Sequence, residues 1–435
     1  MQLPLTDADT LFAELLQDLP PETAQMARDF KAFVRAKKVK TPTQLVRMVL
    51  LYCGLDKTLR EVAGTWTALY EPITDQSVAE RLRACRPWVH ALLQHMFPPA
   101  VGATLPQTLR FLVIDGSSIQ APGATGTDYR LHIMMDLRTL AFVEVLITDV
   151  HTGETLKHFT LGASDVAVAD RGYAQAQGLH ETVQRGAAVI VRLHPFSVVL
   201  LTTTGTPLSL PEALKRQPQA TIRTLEVVLQ GSGGQHEVHG WVQAYRLNAE
   251  QASQARRRCR QRHKKGAPTA ASLFLAGWVL VFTTLAPTIL TAQAIMALYR
   301  CRWQVELAIK RWKSLLHADA VRAKATGPLA DVWLHGKLLY ALMLERRMRR
   351  KVGDVWSYLD HERVATWWRA WGMLKEEIAP MITGAFFWKD AVWGACLQAL
   401  AERPRRRKLQ QLPPDVIVMC YRGAPRQRDD LPLAA

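Results

Sequence analysis

Hydrophobic positions recur at helical spacing through the first hundred residues. This pattern predicts three helices, over residues 8–19, 21–37 and 42–55. Two shorter helices should follow, because Thr58 with Glu61 and Ser77 with Glu80 have the spacing of a capping box. A connection over residues 64–72 is expected to separate those two helices. The beginning of the chain is therefore predicted to be all-helical.

Beyond a proline-bearing linker over residues 98–106, short apolar runs replace the helical spacing. These runs predict strands over residues 110–118, 129–137, 141–149, 165–170 and 187–194. Only three residues separate the second run from the third, so these two strands should form a hairpin. A helix over residues 173–185 connects the last two, which should therefore run parallel. This order of elements predicts a mixed α/β sheet.

The pattern changes again over residues 195–290, where alternating pieces are interrupted by threonine and glycine turns. A GSGG turn lies at residues 231–234, a basic run covers residues 256–265, and an apolar strand closes the segment over residues 277–284. We expect a mostly β insertion that carries one exposed basic helix or loop.

The longest helical pattern covers residues 291–317, where no proline or glycine interrupts a run rich in alanine, leucine, lysine and arginine. At 100° per residue, one stripe about 80° wide contains five polar residues, Tyr299, Arg302, Glu306, Lys310 and Lys313. An adjacent apolar stripe contains Leu298, Val305, Ile309, Trp312 and Leu316. The helix should bury one face and present a single carboxylate among groups that bind phosphate. A plain ladder of surface ion pairs is the alternative interpretation.

The net charge of the chain indicates the kind of molecule that it binds. The chain has 55 Lys and Arg against 38 Asp and Glu, a net charge of +17, which favours a polyanion, nucleic acid first and anionic membrane second. The longest apolar run, residues 271–283, is too short to span a bilayer. Arg81, Arg83 and Arg86 suggest a DNA-binding helix-turn-helix variant in the N-terminal region, although simple helix packing explains them equally well.

Two basic clusters and the cysteines complete the composition. The run at residues 256–265 and a second cluster at residues 403–408 are solvated faces or non-specific phosphate contacts. Six widely spaced cysteines, without a CxxC pair or zinc spacing, are expected to be reduced thiols of a cytosolic chain. The N-terminus has no signal-peptide pattern. We therefore predict a cytoplasmic protein associated with the bacterial nucleoid.

Carboxylates follow two of the predicted strands. Asp115 ends one apolar run before Gly116, and Asp170 ends another before Arg171 and Gly172. If these strands are neighbours, both carboxylates meet at the sheet edge, and Glu306 can complete a pocket of three. Hard oxygen ligands suit Mg²⁺ or Mn²⁺. A pair of such ions, about 4 Å apart, activates a water or a 3′-hydroxyl against a phosphodiester.

These motifs together resemble one insertion-sequence family of DDE transposases. The spacing of Tyr299, Arg302, Glu306 and Lys313 resembles the Tyr-Arg-Glu-Lys signature of that family. IDGSS around Asp115 and ADRGY around Asp170 resemble its other two motifs, in the same order. The neighbourhoods of His132 and Gly153–Glu154 are also similar to the family. The resemblance covers roughly residues 58–345.

The resemblance implies an RNase H-like catalytic core whose third carboxylate follows a β-rich insertion. It implies that Asp115, Asp170 and Glu306 bind two metal ions, and that Tyr299, Arg302 and Lys313 contact DNA phosphates. Lys310 matches a lysine of the relatives that form DNA hairpins. Trp278, 21 residues before Tyr299, matches a tryptophan that stacks on a flipped base in those relatives. An ordinary core aromatic is the alternative for Trp278.

The expected organisation has five parts. These are a helical, DNA-binding region over residues 1–100, the first part of the core over 107–195, the insertion over 196–290, the rest of the core over 291–350, and a helical C-terminal region over 351–435 that could mediate oligomerisation. The C-terminal elements include helices over residues 331–351 and 388–402. The expected function is metal-dependent cleavage at transposon ends and strand transfer into target DNA by a homodimer in a synaptic complex. The alternatives are an RNase H-like nuclease and a catalytically silent DNA-binding inhibitor of transposition.

Overall fold

The computed structural model describes residues 5–97, 109–216, 221–231, 233–262, 267–360, 364–384 and 401–402. Six helices form the N-terminal region, α1 Leu5–Leu16, α2 Thr23–Asp29, α3 Pro42–Val49, α4 Leu59–Leu69, α5 Asp75–Ala84 and α6 Arg86–His95. One π-helical turn, Leu50–Gly54, extends α3. The predicted all-helical character of this region is confirmed.

Local details in this region differ from the prediction. The helix expected over residues 21–37 ends at Asp29, close to Lys31, whose left-handed φ of 57° breaks helical geometry. Thr58 and Glu61 form the predicted capping box, but the second one is wrong, because Thr74 caps α5 by accepting the backbone N–H of Ser77. The expected connection over residues 64–72 is also wrong, since α4 continues to Leu69.

Nine strands form one mixed sheet. Their bounds are β1 Arg110–Ile119, β2 Tyr129–Asp136, β3 Ala141–Asp149, β4 Asp165–Ala169, β5 Ala188–Arg192, β6 Val199–Leu201, β7 Ile222–Gln230, β8 Val238–Arg246 and β9 Trp278–Thr283. Their order across the sheet is β3-β2-β1-β4-β5-β9-β8-β7-β6. The predicted hairpin of β2 with β3 and the parallel pairing of β4 with β5 are confirmed.

The predicted insertion continues this sheet. Its last strand, β9, pairs antiparallel with both β5 and β8, so β6 to β9 extend the sheet on one side. Three helices accompany these strands, α8 Leu210–Lys215, α9 Ala249–Arg262 and α10 Ala270–Leu275, while α7 Ala176–Gln184 connects β4 to β5. Most of the basic run therefore belongs to an exposed helix, α9. The division into five parts stays a prediction.

The long helix predicted over residues 291–317 is two helices, α11 Ala292–Cys301 and α12 Trp303–Leu316. Between them, the N–H of Arg302 bonds to the carbonyl of Tyr299 at 3.2 Å, a tighter turn than that of an α-helix. Neither proline nor glycine causes this break. The two halves contact different parts of the sheet, α11 mainly β5, β7 and β8, and α12 β1 and β2. A single straight helix could not follow both parts of a twisted sheet.

Helices cover the two faces of the sheet. On one face, α11, α12 and the 25-residue α13, Pro328–Val352, pack with the N-terminal helices around one apolar cluster. On the other face, α7 covers a second cluster. All five residues of the predicted apolar stripe are buried in the first cluster. The sheet and its covering helices therefore form a layered α/β core.

The C-terminal part contains α14 Val355–Asp360, α15 Trp367–Thr383 and a two-stranded sheet of β10 Val364–Ala365 and β11 Ala401–Glu402. Of the helix predicted over residues 388–402, only Ala401–Glu402 is described, and these two residues are in a strand. The linker over residues 98–106 and the basic cluster over residues 403–408 lie outside the described residues. No described helix is both long and apolar enough to cross a membrane.

Candidate active site

Asp115 and Asp170 lie side by side on paired strands. Strands β1 and β4 are parallel and in register up to Ile114 opposite Ala169, so the next residue of each chain segment is the aspartate. Asp170 follows the end of β4 as predicted. Asp115 does not end β1, because the strand continues through four more residues to Ile119 and pairs there with β2. The register of the two strands nevertheless places the two carboxylates next to each other, as predicted.

Glu306 reaches the same place from the helical face, through Arg302. The guanidinium of Arg302 donates a 2.5 Å hydrogen bond to Glu306 and lies 3.6 Å from Asp115. The side chain of Arg302 is only 11% exposed, so the contacts form in a largely dry environment. Asp170 contributes to the same charge cluster, since it is among the groups that raise the pKa of Arg302 against the effect of burial.

The two aspartates are electrostatically different. Burial raises the pKa of Asp115 to about 6, opposed by Arg302 and assisted by the nearby charges of Glu306 and Glu154. Burial also acts on Asp170, but the backbone N–H of Arg171, the charge of Arg302 and a hydrogen bond from Tyr299 bring its pKa below the ordinary value. Asp170 therefore prefers to be charged, whereas Asp115 holds its proton more strongly.

Tyr299 faces inward, toward this cluster. Its side chain is 9% exposed, and its hydroxyl donates a 3.0 Å hydrogen bond to Asp170. Burial and the charge of Asp170 raise the pKa of Tyr299 to about 12, so the group remains a donor at neutral pH. Of the five stripe residues, Tyr299, Arg302 and Glu306 thus surround the aspartates.

The two lysines of the stripe lie further out. Lys313 donates a 3.3 Å hydrogen bond to the carbonyl of Ser118, three residues beyond Asp115 on β1. Lys310 is exposed, and its ammonium lies 4.3 Å from the ring centre of Trp303. These two cations therefore border the carboxylate cluster on its solvent side.

Trp278 occupies the same sheet edge, two strands away from Asp170. It begins β9, is 8% exposed and belongs to the second apolar cluster. It also lines a cavity of about 520 Å³ together with Phe274 and three cations, Lys215, Arg246 and Arg256. The rings of Trp278 and Phe274 are 6.3 Å apart, tilted by 44°. Trp278 is thus a core aromatic and also part of a basic cavity.

Sequence reasoning missed the role of Glu154 in the geometry. Its carboxylate lies against Gly116 and Gly172, the glycines that follow the two aspartates, and a Cβ on Gly116 would come within 2.9 Å of it. Because Gly116 alternates with Asp115 along β1, Glu154 approaches from the opposite face of the sheet. The glycines are therefore needed because a side chain at either position would collide with the Glu154 carboxylate. The signals in the sequence were the glycine after each aspartate and the similarity of the Gly153–Glu154 neighbourhood to the family.

A histidine pair supports the segment that carries Glu154. The ring of His132, fully buried opposite Gly116, packs against His158 with 4.7 Å between ring centres and a tilt of 52°. His158 in turn hydrogen-bonds the carbonyl of Gly153 at 2.8 Å, and Gln175 donates to the carbonyl of Glu154. These contacts fix the segment beside the aspartates.

The carboxylate oxygens of this site are ligands of the type that hard divalent cations prefer, but their arrangement is set by the guanidinium of Arg302. Within the described residues, no three His, Cys, Asp or Glu side chains are arranged to hold a metal ion. Around Asp115 the guanidinium of Arg302 occupies the space between the carboxylates, and it is the cation on which they converge. Oxygen ligands gathered around one positive charge are the kind of set that Mg²⁺ or Mn²⁺ binds.

Comparison with known proteins agrees with this geometry. The family model for the transposase DDE domain matches residues 106–327, which include β1, β4 and α12. The chain belongs to the family of DDE transposases. Its sheet and flanking helices form the RNase H-like core of such an enzyme, and the resemblance drawn from the three motifs is confirmed.

Two relatives of this transposase match it over three quarters of its length, and a third matches less than half. It is 31% identical to the transposase for insertion sequence element IS421 of Escherichia coli, over 75% of this chain and 90% of the relative. A protein of element IS186A of Escherichia coli strain K12 matches with the same identity and the same coverage. The transposase for IS231F of Bacillus thuringiensis subsp. israelensis is 27% identical over 43% of each chain.

Proposed function

We propose that this transposase cuts DNA at transposon ends and joins the freed ends to target DNA in a reaction that needs divalent metal ions. Asp115, Asp170 and Glu306 are the proposed ligands of two Mg²⁺ or Mn²⁺ ions. Such ions supply polarisation of the phosphodiester and activation of a water or 3′-hydroxyl. Members of the family generally use divalent metal ions. The observation that carries the proposal is the convergence of Asp115 and Glu306 on one guanidinium, beside Asp170.

The surrounding side chains have separate tasks in this proposal. Tyr299 holds Asp170 through its hydroxyl, and so keeps that carboxylate charged and oriented. Arg302 holds Asp115 and Glu306 together by charge, and its fork of donors suits a DNA phosphate. Lys310 and Lys313 are on the solvent side, where the backbone of a bound duplex would run.

Trp278 is proposed to stack on a base that leaves the duplex. The cavity beside it supports this role, because three cations suit a nucleotide phosphate and Phe274 adds a second aromatic wall. The burial of Trp278 supports the core role equally, and both roles are compatible with one side chain at the rim of a cavity.

Transposition joins two ends, so we propose that the enzyme acts as a homodimer in a synaptic complex with both ends and target DNA. Its expected location is the cytoplasm, at the nucleoid, where its DNA substrate is. The net charge of +17 supports phosphate binding over a large surface.

Two other functions remain as alternatives. A nuclease on the same core needs the three carboxylates but no end-specific contacts. A silent DNA-binding inhibitor needs neither charge nor order at the three carboxylates. The intact trio, held by Tyr299 and Arg302, favours an active enzyme over the inhibitor.

Strand cleavage tests the proposal. Purified protein is incubated with Mg²⁺ or Mn²⁺ and DNA carrying the ends that flank this gene, and binding is followed by gel shift. Wild type should nick at the ends only with metal, and Glu306→Ala should bind the same DNA without nicking it. Gln304→Ala, on the same helix, is the matched control and should cleave like wild type.

The other possible outcomes favour one of the alternative functions or remove Glu306 from the site. Binding without cleavage by wild type would favour the inhibitor. Metal-dependent cleavage without preference for the ends would favour the nuclease. Cleavage by Glu306→Ala would remove Glu306 from the metal ligands.

A further inference from the structure

A basic groove separates the N-terminal helices from the catalytic core. Its volume is about 810 Å³. Tyr52, Lys57, Thr58, Leu59 and Arg83 line one side, and the other side is lined by Pro122, His317, residues 320–324 and residues 327–329. Five of the lining residues are basic, namely Lys57, Arg83, His317, Arg322 and Lys324. No aspartate or glutamate is among the described residues that line the groove. The groove lining therefore carries an excess of positive charge, which Glu61 beside Lys57 and Asp56 beside Arg322 offset only in part.

Most of these basic side chains form no salt bridge with a described residue. Arg322 is engaged, because its guanidinium donates to the carbonyl of Asp56 at 2.6 Å. Lys57, Arg83 and Lys324, in contrast, form no salt bridge with any described residue, and Arg83 and Lys324 are exposed. Three cations that face one groove repel each other, and a polyanion would relieve that repulsion.

The groove is continuous with the strand that carries Asp115. Gln120, directly after β1, forms a parallel bridge with Ala320 of the groove wall. Its N–H donates to the carbonyl of Asp319 at 3.0 Å, and its carbonyl accepts from the N–H of Val321 at 2.9 Å. Gln120 is five positions after Asp115, which corresponds to about 17 Å along a strand. DNA rises 3.4 Å per base pair, so a duplex that follows β1 away from the active site would reach the groove roughly five base pairs from the cleaved bond.

One wall of the groove belongs to α4 and α5, the helix pair that is the candidate DNA-binding unit. Lys57 precedes α4, and Arg83 is in the last turn of α5. A duplex held at once by this helix pair and by the active site passes through the groove. That duplex is the transposon end, since the end is the DNA that an end-recognising region and the cleavage site must share.

We propose that this groove binds the sugar-phosphate backbone of the transposon end, about five base pairs inside the cleaved bond, through Lys57, Arg83 and Lys324. The proposal rests on the proposed function, because it takes the cleaved DNA from it. The groove positions the duplex and takes no part in the chemistry. Its contacts are with phosphates, so they are independent of base sequence.

The test compares two charge-matched variants. The groove variant replaces Lys57, Arg83 and Lys324 by Gln. The control variant replaces Arg28, Arg35 and Lys37, three exposed cations of the N-terminal region that do not line the groove, by Gln. Affinity for an end duplex is measured by fluorescence anisotropy over a range of salt concentrations. Thermal unfolding establishes that both variants fold.

In the groove variant, the slope of log K against log salt concentration should be less steep by about 2.7, which is about 0.9 for each of three phosphate contacts. The control variant should lower it by less than one. On a duplex cut back to about three base pairs inside the cleaved bond, the groove variant and wild type should bind alike, because the proposed contacts need about five base pairs.

Several results would overturn the assignment. These are an unchanged slope in the groove variant, an equal decrease in the control variant, or a loss that persists on the short duplex. A loss seen only with target DNA would assign the groove to the target. The proposed function is judged separately by metal-dependent nicking at saturating protein. Absence of nicking in wild type would contradict the function while leaving the binding result valid.

Discussion

The hydroxyl of Tyr299 donates a 3.0 Å hydrogen bond to Asp170, across 129 positions of sequence, and so joins α11 to the end of β4. The same turn of helix brings Arg302 to Asp115 and Glu306. The polar stripe that begins with Tyr299 and ends with Lys313 thus bonds to the aspartates at its N-terminal end. Its lysine end is open to solvent.

Replacing Tyr299 by Phe should cost about 1 kcal/mol of unfolding free energy, because one buried hydrogen bond is lost. It should also slow cleavage, since Asp170 loses the bond that favours its charged form. Urea unfolding and single-turnover cleavage measure the two effects. Tyr358→Phe, which loses a 2.7 Å bond to the carbonyl of Ala365 in the C-terminal part, is the control. It should lose stability without losing cleavage, and equal cleavage by both variants would contradict the role of Tyr299.

Arg302→Gln should destabilise the metal-free protein by about 3 kcal/mol, because a buried cation is removed from between carboxylates. The unpaired carboxylates should then respond more strongly to a divalent ion. Thermal unfolding with and without Mn²⁺ should show a larger stabilisation in the variant than in wild type. Arg311→Gln, which leaves Glu345 without its Arg311 contact away from the site, should not change the Mn²⁺ response. An identical response in Arg302→Gln and wild type would argue against a metal site at these carboxylates.

Lys313→Ala should weaken binding to DNA ends without preventing folding. One lost phosphate contact should reduce the salt slope of binding by about 1. Lys375→Ala is matched to it, because Lys375 also donates to a backbone carbonyl, that of Leu315, at 2.9 Å. Gel shift over a salt series separates the two. Unchanged affinity in Lys313→Ala would remove this residue from the DNA surface.

Trp278 can be tested by size and by aromaticity separately. Trp278→Leu keeps an apolar side chain in the second cluster but removes the stacking face, so cleavage should fall more than binding. Trp278→Phe keeps a ring and should cleave better than the Leu variant. Stability is measured for both, because each leaves part of the original volume empty. Cleavage by Trp278→Leu at the wild-type rate would leave Trp278 with a packing role alone.

The contribution of His132 to the stability of the protein should fall as the pH decreases from about 6.5 to about 4. Burial lowers the pKa of His132 to about 4, assisted by the charges of His158 and Arg130. Between those pH values the unfolded chain binds a proton that the folded protein does not, so acid favours unfolding. This contribution is fully present above pH 6.5 and reaches about 3 kcal/mol. Urea unfolding of wild type and His132→Gln from pH 4 to 7 measures it, and the variant should have a flatter profile. Parallel profiles would exclude His132 as the source.

Local patterns were sufficient for much of this molecule. Alternation and apolar runs predicted β1 to β5 and their hairpin, and the helical wheel predicted the buried stripe of α11 and α12. The sequence predicted that the two aspartates meet if their strands are neighbours, and the parallel pairing of β1 with β4 meets that condition. These features depend on residues near each other in sequence, where spacing alone carries the information.

Tertiary structure decided the rest. The break at Arg302 arises because α11 and α12 follow different parts of a twisted sheet, and no residue type in the sequence signals it. The position of the Arg302 guanidinium between Asp115 and Glu306, and of Glu154 against two glycines, depends on segments brought together from far apart in the chain. The basic groove likewise exists only where the N-terminal helices meet the segment after α12. Sequence by itself determined which chemical groups are available and on which elements they lie, because that information is local. Packing determined which of those groups share one space, because burial and charge act between parts of the chain that spacing cannot relate.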